Sequence, residues 1–315
     1  MTVRKVMVTF LLIISSVNSF SWGFYAHKRI NYYAVFLLPP PLFLFYKSHI
    51  IYLSDHSVDP DKRRYAIKEE APRHFIDMDK YGKYPFDSLP RKWNEAKMKF
   101  SEDSLQAHGI IPWWIQTMLY RLTQAFLKKD CYRSLQLSAE IAHYIADAHV
   151  PLHTSSNHNG QFTAQHGIHG FWESRVPELL AEPGWDFIIP KAKYIEDPLA
   201  YTWRKIMESA LAADSVLVFE KNLNDRFRTD RKYAFESRNG VIVRQYSRDY
   251  TIAYDKILNN MVERRMRESI YSVASFWYTA WVNAGQPDLS VCIDTPFHLD
   301  KSIDTTNNLP SEDHH

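Results

Sequence analysis

Apolar residues recur three and four positions apart through most of the chain, and no stretch alternates convincingly, so the pattern predicts helices nearly everywhere. Trp22 to about Leu37 reads as a helix stopped by the three prolines of LPPPLF, and Leu42 to about Ser54 resumes it. DHSVDPDKRR and Tyr81–Trp93 read as loops, the second for its Gly and Pro. WWIQTMLYRLTQAFLKK and SLQLSAEIAHYIADAH read as two helices that turn near Asp130. Residues 154–167 are polar and carry Gly160 and Gly167, so a loop is expected there, with a new helix from about His169. LAYTWRKIMESALAADSVLVFEKNL and YTIAYDKILNNMVERRMRESIYSVASFWYTAWVNAG read as long amphipathic helices, the last ended by Gly285 and Pro287.

The expected fold class is therefore all-α: one multi-helix domain over residues 22–286, preceded by a leader and followed by a Pro-, Asp- and Asn-rich tail from 287 to 315. The leader has the parts of a signal peptide. Arg4 and Lys5 are basic, Val6–Val17 is largely apolar but too short to span a bilayer, and Ser19 and Ser21 are small residues before a cut at Trp22. Export to periplasm or medium is the expectation. A hydrophobic content of 45 % fits a globular chain. A net charge of +2 is too mild to imply a nucleic-acid or membrane partner by electrostatics alone. Export would permit a Cys131–Cys292 disulfide but does not require one.

The densest chemistry lies in HYIADAHVPLHTSSNHNGQFTAQHGIHGFWE. His143 and Asp147, four apart on a predicted helix, share a face, and His169 with Glu173 repeats that spacing at the next helix start. His153 follows the first pair after a Pro-Leu turn. Imidazole and carboxylate so spaced can grip one divalent ion, zinc being the usual choice. His149, His158 and His166 read as supporting, loop or surface residues. A second, weaker signal is VDPDKRRYAIKEEAPRHFID, where His74 follows Asp59 by fifteen residues.

With these residues in hand, the stretch from Trp22 to about Glu178 resembles the superfamily of zinc-dependent phospholipases C and single-strand-specific zinc nucleases. The resemblance implies an exported α-helical enzyme with three zinc ions in a cleft between helices. It implies Trp22 as the amino-terminal ligand, His27 as the histidine of a WGxxxH start, Asp59 and His74 as the next pair, and His143 and Asp147 as the central HxxxD, with Asp147 bridging two ions. His153 matches the histidine of D-x-x-x-P-L-H, and His169 with Glu173 matches the closing pair. Asp61 is the alternative to Asp59, because the loop can shift register.

The resemblance implies a phosphodiester hydrolase that uses metal-activated water, with Asp59 orienting or deprotonating that water and Lys62 steadying the phosphate. Phe75 would stack on a base and Asp77 read its edge. HVPLH and HGFWE match the nuclease wording, while the closing Glu173 matches the phospholipases, whose acyl groove FLLPPPLFLF would then line, although that stretch reads first as core and a helix break. The expected substrate is single-stranded nucleic acid or a nucleotide phosphoester, with a phospholipid head group as the alternative. A non-catalytic zinc-binding protein is the third reading.

Overall fold

The computed structural model describes residues 23–238 and 240–293, so the expected leader, Trp22 and most of the tail lie outside it. Helix α1 (Phe24–Ala34) runs into a 3-10 turn at Val35–Leu37, and α2 (Pro40–Ser48) follows at once. The prolines that stop the first helix thus start the second: Pro40 occupies the first turn, where a missing N–H costs nothing. Helix α3 (Ile50–His56) is separated from α2 by His49, whose φ of −115° breaks the single helix expected over Leu42–Ser54. The predicted DHSVDPDKRR loop contains a short helix, α4 (Asp59–Arg63), and a 3-10 turn over Lys68–His74 leads out of it.

Two further short helices, α5 (Trp93–Phe100) and α6 (Glu102–His108), precede the long pair α7 (Ile111–Leu127) and α8 (Cys131–Asp147). The Asp130 side chain caps α8 by accepting the Arg133 N–H at 3.0 Å, at the predicted turn. Helix α9 (Ile168–Gly170), a π-turn at Phe171–Arg175 and α10 (Val176–Gly184) are continuous in sequence. Helices α11 (Pro198–Asn224), α12 (Arg248–Ile257) and α13 (Met261–Asn283) complete the mostly helical fold. The single long helix expected last in the chain is two: Asn259 and Asn260 both take positive φ, a conformation Asn tolerates well, and separate α12 from α13. Gly285, at φ +79°, ends α13 as expected.

The structure also has an element that the pattern missed. Strands β1 (Tyr233–Arg238) and β2 (Val241–Tyr246) form an antiparallel hairpin with Arg238 opposite Val241. The Asn-Gly pair at 239–240 is a hairpin signal in the sequence.

Helix α8 is the centre of the core. It packs against α1, α3, α7 and α13, and Leu135, Ala139, Ile141, Ala142 and Ile145 are all buried. Up to Glu140 it keeps Arg133, Gln136 and Glu140 partly exposed, while the rest of it is enclosed on every side. Tyr46 stacks on Trp277 at 4.7 Å, and both reach α8: the Tyr46 hydroxyl meets Ser138 Oγ at 2.7 Å and the Trp277 indole N–H donates to the Ser138 carbonyl at 3.0 Å. The expected tail boundary is too early, because Leu289 and Cys292 are buried and Cys292 is disulfide-bonded to Cys131. No helix among the described residues is long and apolar enough to cross a membrane.

Candidate metal centre

The C-terminal half of α8 faces inward, which carries His143 and Asp147 into the core together. The first turn of α1 brings His27 beside them, and the end of the Lys68–His74 turn brings His74. His27 Nε2 lies 3.4 Å from Asp147 Oδ1, while His74 Nδ1 and His143 Nε2 lie 2.9 and 3.3 Å from Asp147 Oδ2. Asp147 thus presents one oxygen to His27 and the other to the His74–His143 pair. The second group gathers from a turn and a helix: His169 Nε2 is 3.0 Å and His153 Nε2 3.5 Å from Glu173 Oε2. Glu173 sits in the π-turn, an irregularity often found at functional sites.

The rings are held by their other nitrogens. His143 Nδ1 is 2.8 Å from the Ser57 carbonyl, His153 Nδ1 2.5 Å from the His74 carbonyl, and His169 Nδ1 3.1 Å from the His158 carbonyl. A carbonyl only accepts, so each Nδ1 must donate, which leaves an Nε2 lone pair aimed inward. His74 is turned the other way, with Nδ1 inward and Nε2 3.6 Å from Glu70 Oε1.

Both oxygens of Asp61 and both of Glu173 are buried and accept no hydrogen bond. Native proteins rarely leave buried carboxylates so. Burial pushes the Glu173 carboxyl up to about 8, and raises that of Asp61. Burial also holds His169 at about 4 and, helped by the neighbouring His143, holds His27 at about 4. Asp147 goes the opposite way: burial opposes its charge, but His143 and His153 outweigh that and hold it well below the usual carboxylate range. Imidazoles that burial holds neutral at His27, His143 and His169, with the orphaned oxygens of Asp61 and Glu173, are donors that a divalent cation satisfies, while at His74 burial is outweighed by Asp147 and Glu70, which raise its pKa. Three groups, His27–Asp61–His143, His74–His143–Asp147 and His153–His169–Glu173, could hold metal ions.

The structure corrects two expectations. Asp59 is not in the centre; it pairs with His56 Nδ1 at 2.5 Å and Lys62 Nζ at 2.8 Å. Asp61 takes its place, 3.7 Å from His143 Nε2. The cause is α4: Val58 and Asp61, three apart, turn inward, while Asp59 and Lys62, also three apart, stay at the surface and pair with each other. Lys62 therefore does not reach the site. Arg64 does, although in the sequence it is hidden in a charge run.

Beside the metal groups lies a cavity of about 240 Å³, lined by His74, His153 and His169 together with Arg64, Phe75 and Asp77. Phe75 and Asp77, expected as substrate-binding residues, both line it. His158 lines the same cavity, His166 is exposed, and His149 is a core residue held between the Ile145 carbonyl at 2.8 Å and Ser272 Oγ at 3.1 Å.

Glu70 is a further residue that the sequence pattern did not single out, although it stands four before His74, the spacing that exposed the other pairs. It is fully buried, takes an Arg73 hydrogen bond at 2.8 Å and a Tyr144 hydroxyl bond, and lies 3.4 Å from Arg63 Nε. Burial opposes its charge, but His74, Arg63 and Arg73 outweigh burial and keep it ionised.

Trp22 lies outside the described residues. Its neighbour Gly23 is packed so tightly on Ser174, next to Glu173, that an added Cβ would fall 2.3 Å from Ser174 Oγ. No protein-family model matches the chain, and a search of curated proteins finds no match.

Proposed function

We propose that the chain is an exported zinc-dependent phosphodiester hydrolase of the nuclease type, acting on single-stranded nucleic acid or nucleotide phosphoesters. The observation that carries this reading is one juxtaposition: His74, His153 and His169, from two of the buried histidine–carboxylate groups, line a cavity also lined by a guanidinium, an aromatic ring and a carboxylate, namely Arg64, Phe75 and Asp77.

In this reading His27, Asp61, His74, His143, Asp147, His153, His169 and Glu173 hold the ions, three in number. A cut before Trp22 adds its α-amino group; such groups ordinarily titrate at about 7.7 to 8.0, so it can lose a proton near neutrality. Bound zinc would supply positive charge for phosphate oxygens and lower the pKa of water toward about 7. The chain's own residues do the rest. Arg64 steadies the non-bridging oxygens through its planar, permanently charged fork. Asp61, which inherits the role first expected of Asp59, accepts a proton from the attacking water. Phe75 stacks on a base and Asp77 accepts a hydrogen bond from its edge. The Cys131–Cys292 disulfide suits an oxidising compartment and so supports export.

A phospholipase C would use the same centre, but FLLPPPLFLF, the stretch expected to line its acyl groove, does not line the cavity. FLLPPPLFLF buries Leu37, Leu38, Leu42 and Phe45 in the core, and the groove lined by Phe36, Pro39, Phe43 and Tyr278 shares no residue with the cavity. The test is a paired assay of processed, zinc-loaded protein on single-stranded DNA and phosphatidylcholine vesicles. Hydrolysis of the DNA, abolished by chelation and restored by zinc, is expected. Full activity in chelator ends the reading, and hydrolysis of the lipid alone moves it to the phospholipase.

A further inference from the structure

The β1–β2 hairpin has no part in the site, yet it combines exposed apolar side chains with an excess of basic residues. Phe235, Val241 and Ile242 are 75 %, 61 % and 66 % exposed on one short hairpin. The register places Phe235 opposite Arg244, and Ile242 opposite Ser237, so Phe235 and Ile242 are diagonal neighbours on one face. Around them basic residues are in excess. Residues 225–249 carry seven basic and four acidic side chains, a net of +3, against +2 for the entire chain, and Arg228, Arg231, Lys232 and Arg238 pair with Asp230, Asp249, Glu220 and Glu178. Arg226, Arg244 and Arg248 are exposed and have no acidic partner among the described residues. Exposed apolar side chains with Arg244 opposite one of them combine the two attractions that hold proteins to anionic bilayers: buried apolar area and charge.

The hairpin is not a loose arm. Tyr246 stacks on Phe171 at 3.8 Å, and the Arg175 guanidinium donates to the Tyr246 carbonyl at 3.0 Å and to Glu236. Phe171 and Arg175 bracket Glu173 in the π-turn. Whatever the hairpin touches is therefore fixed relative to the candidate centre.

We propose that this hairpin docks the protein on an anionic phospholipid surface, with Phe235 and Ile242, on one face, entering the acyl boundary and Arg226, Arg244 and Arg248 meeting the head groups. Ile242 favours lipid over nucleic acid as the occupant, because aliphatic side chains do not stack on bases and a phosphodiester backbone offers them no apolar medium. The proposal is independent of the reaction, since docking requires neither metal nor turnover.

The experiment is co-sedimentation of the full chain with vesicles of phosphatidylcholine alone or with phosphatidylglycerol at about a third of the lipid. Binding at least tenfold tighter to the anionic vesicles is expected. F235S/I242S and, separately, R244E/R248E, all at exposed positions that leave the core intact, should each lower it at least tenfold, with circular dichroism unchanged. No preference for anionic vesicles, or equal binding by both variants, overturns the proposal. So does loss of binding to oligo-dT in these variants when the wild type ignores vesicles, which would make the hairpin a nucleic-acid surface.

Discussion

Asp61 Oδ1 lies 3.7 Å from His143 Nε2, whereas Asp59, two residues earlier, is turned to the surface and bound by His56 and Lys62. The two aspartates make the ligand assignment testable. Asp61→Asn should remove an ion from the first group and cut activity by more than about 100-fold, beyond the usual cost of outer-shell changes. Asp59→Asn should stay within a few-fold of wild type. Metal content by mass spectrometry and hydrolysis rates for both variants check this. The reverse ranking would return the role to Asp59.

Arg64 and Lys62 form a second contrast, since only Arg64 lines the cavity. Arg64→Ala should lower kcat/KM by about 10²-fold, the scale of a lost charge-stabilising donor, while Lys62→Ala changes it little. Steady-state kinetics on one phosphodiester substrate suffice. An equal effect of both would show that Arg64 acts only through the general field.

Glu173 predicts how the metal-free protein responds to pH. Its carboxyl is held at about 8 in the fold by burial, above its ordinary value of 4.5. Between these values the unfolded chain has released a proton that the folded chain keeps, so the Glu173 contribution to stability is lost as pH rises from about 4.5 to 8, and it sets the slope above about 6.5, where the histidines of the unfolded chain are neutral. His27 and His169, at about 4 in the fold, act in the opposite sense: the unfolded state binds their protons first, so their contribution is lost as pH falls from about 6.5 toward 4. Urea unfolding of chelated protein across this range measures both slopes. Glu173→Gln should flatten the alkaline one, and an unchanged slope in that variant would exclude Glu173 as its source.

Glu70 is the negative charge that three neighbours depend on. Glu70→Leu removes the buried carboxylate that Arg73 and the Tyr144 hydroxyl bond, and should cost about 3–5 kcal/mol, as removing one member of a buried pair does. It should also weaken metal binding about 10- to 100-fold by freeing the His74 ring. Denaturant unfolding and metal titration separate the two effects. Stable, fully metal-binding protein would reduce Glu70 to a bystander.

The helical class, the α7–α8 turn at Asp130, the end of the last helix at Gly285 and the pairs His143–Asp147 and His169–Glu173 were all legible in the amino-acid order. Each depends on residues close together in the chain, and at that range helical geometry alone decides which side chains are neighbours. The hairpin was also locally encoded, by Asn239-Gly240, but its short strands were outweighed by helical pattern on both sides. Tertiary structure decided the rest. Which of Asp59 and Asp61 faces His143 depends on how α4 rolls against a helix far along the chain. That Glu70 stands behind His74, that Arg64 rather than Lys62 reaches the cavity, and that Cys131 meets Cys292 across 161 residues follow from the same packing. Sequence distance carries no information about such pairs, because the free energy that selects them comes from burying the core as a unit.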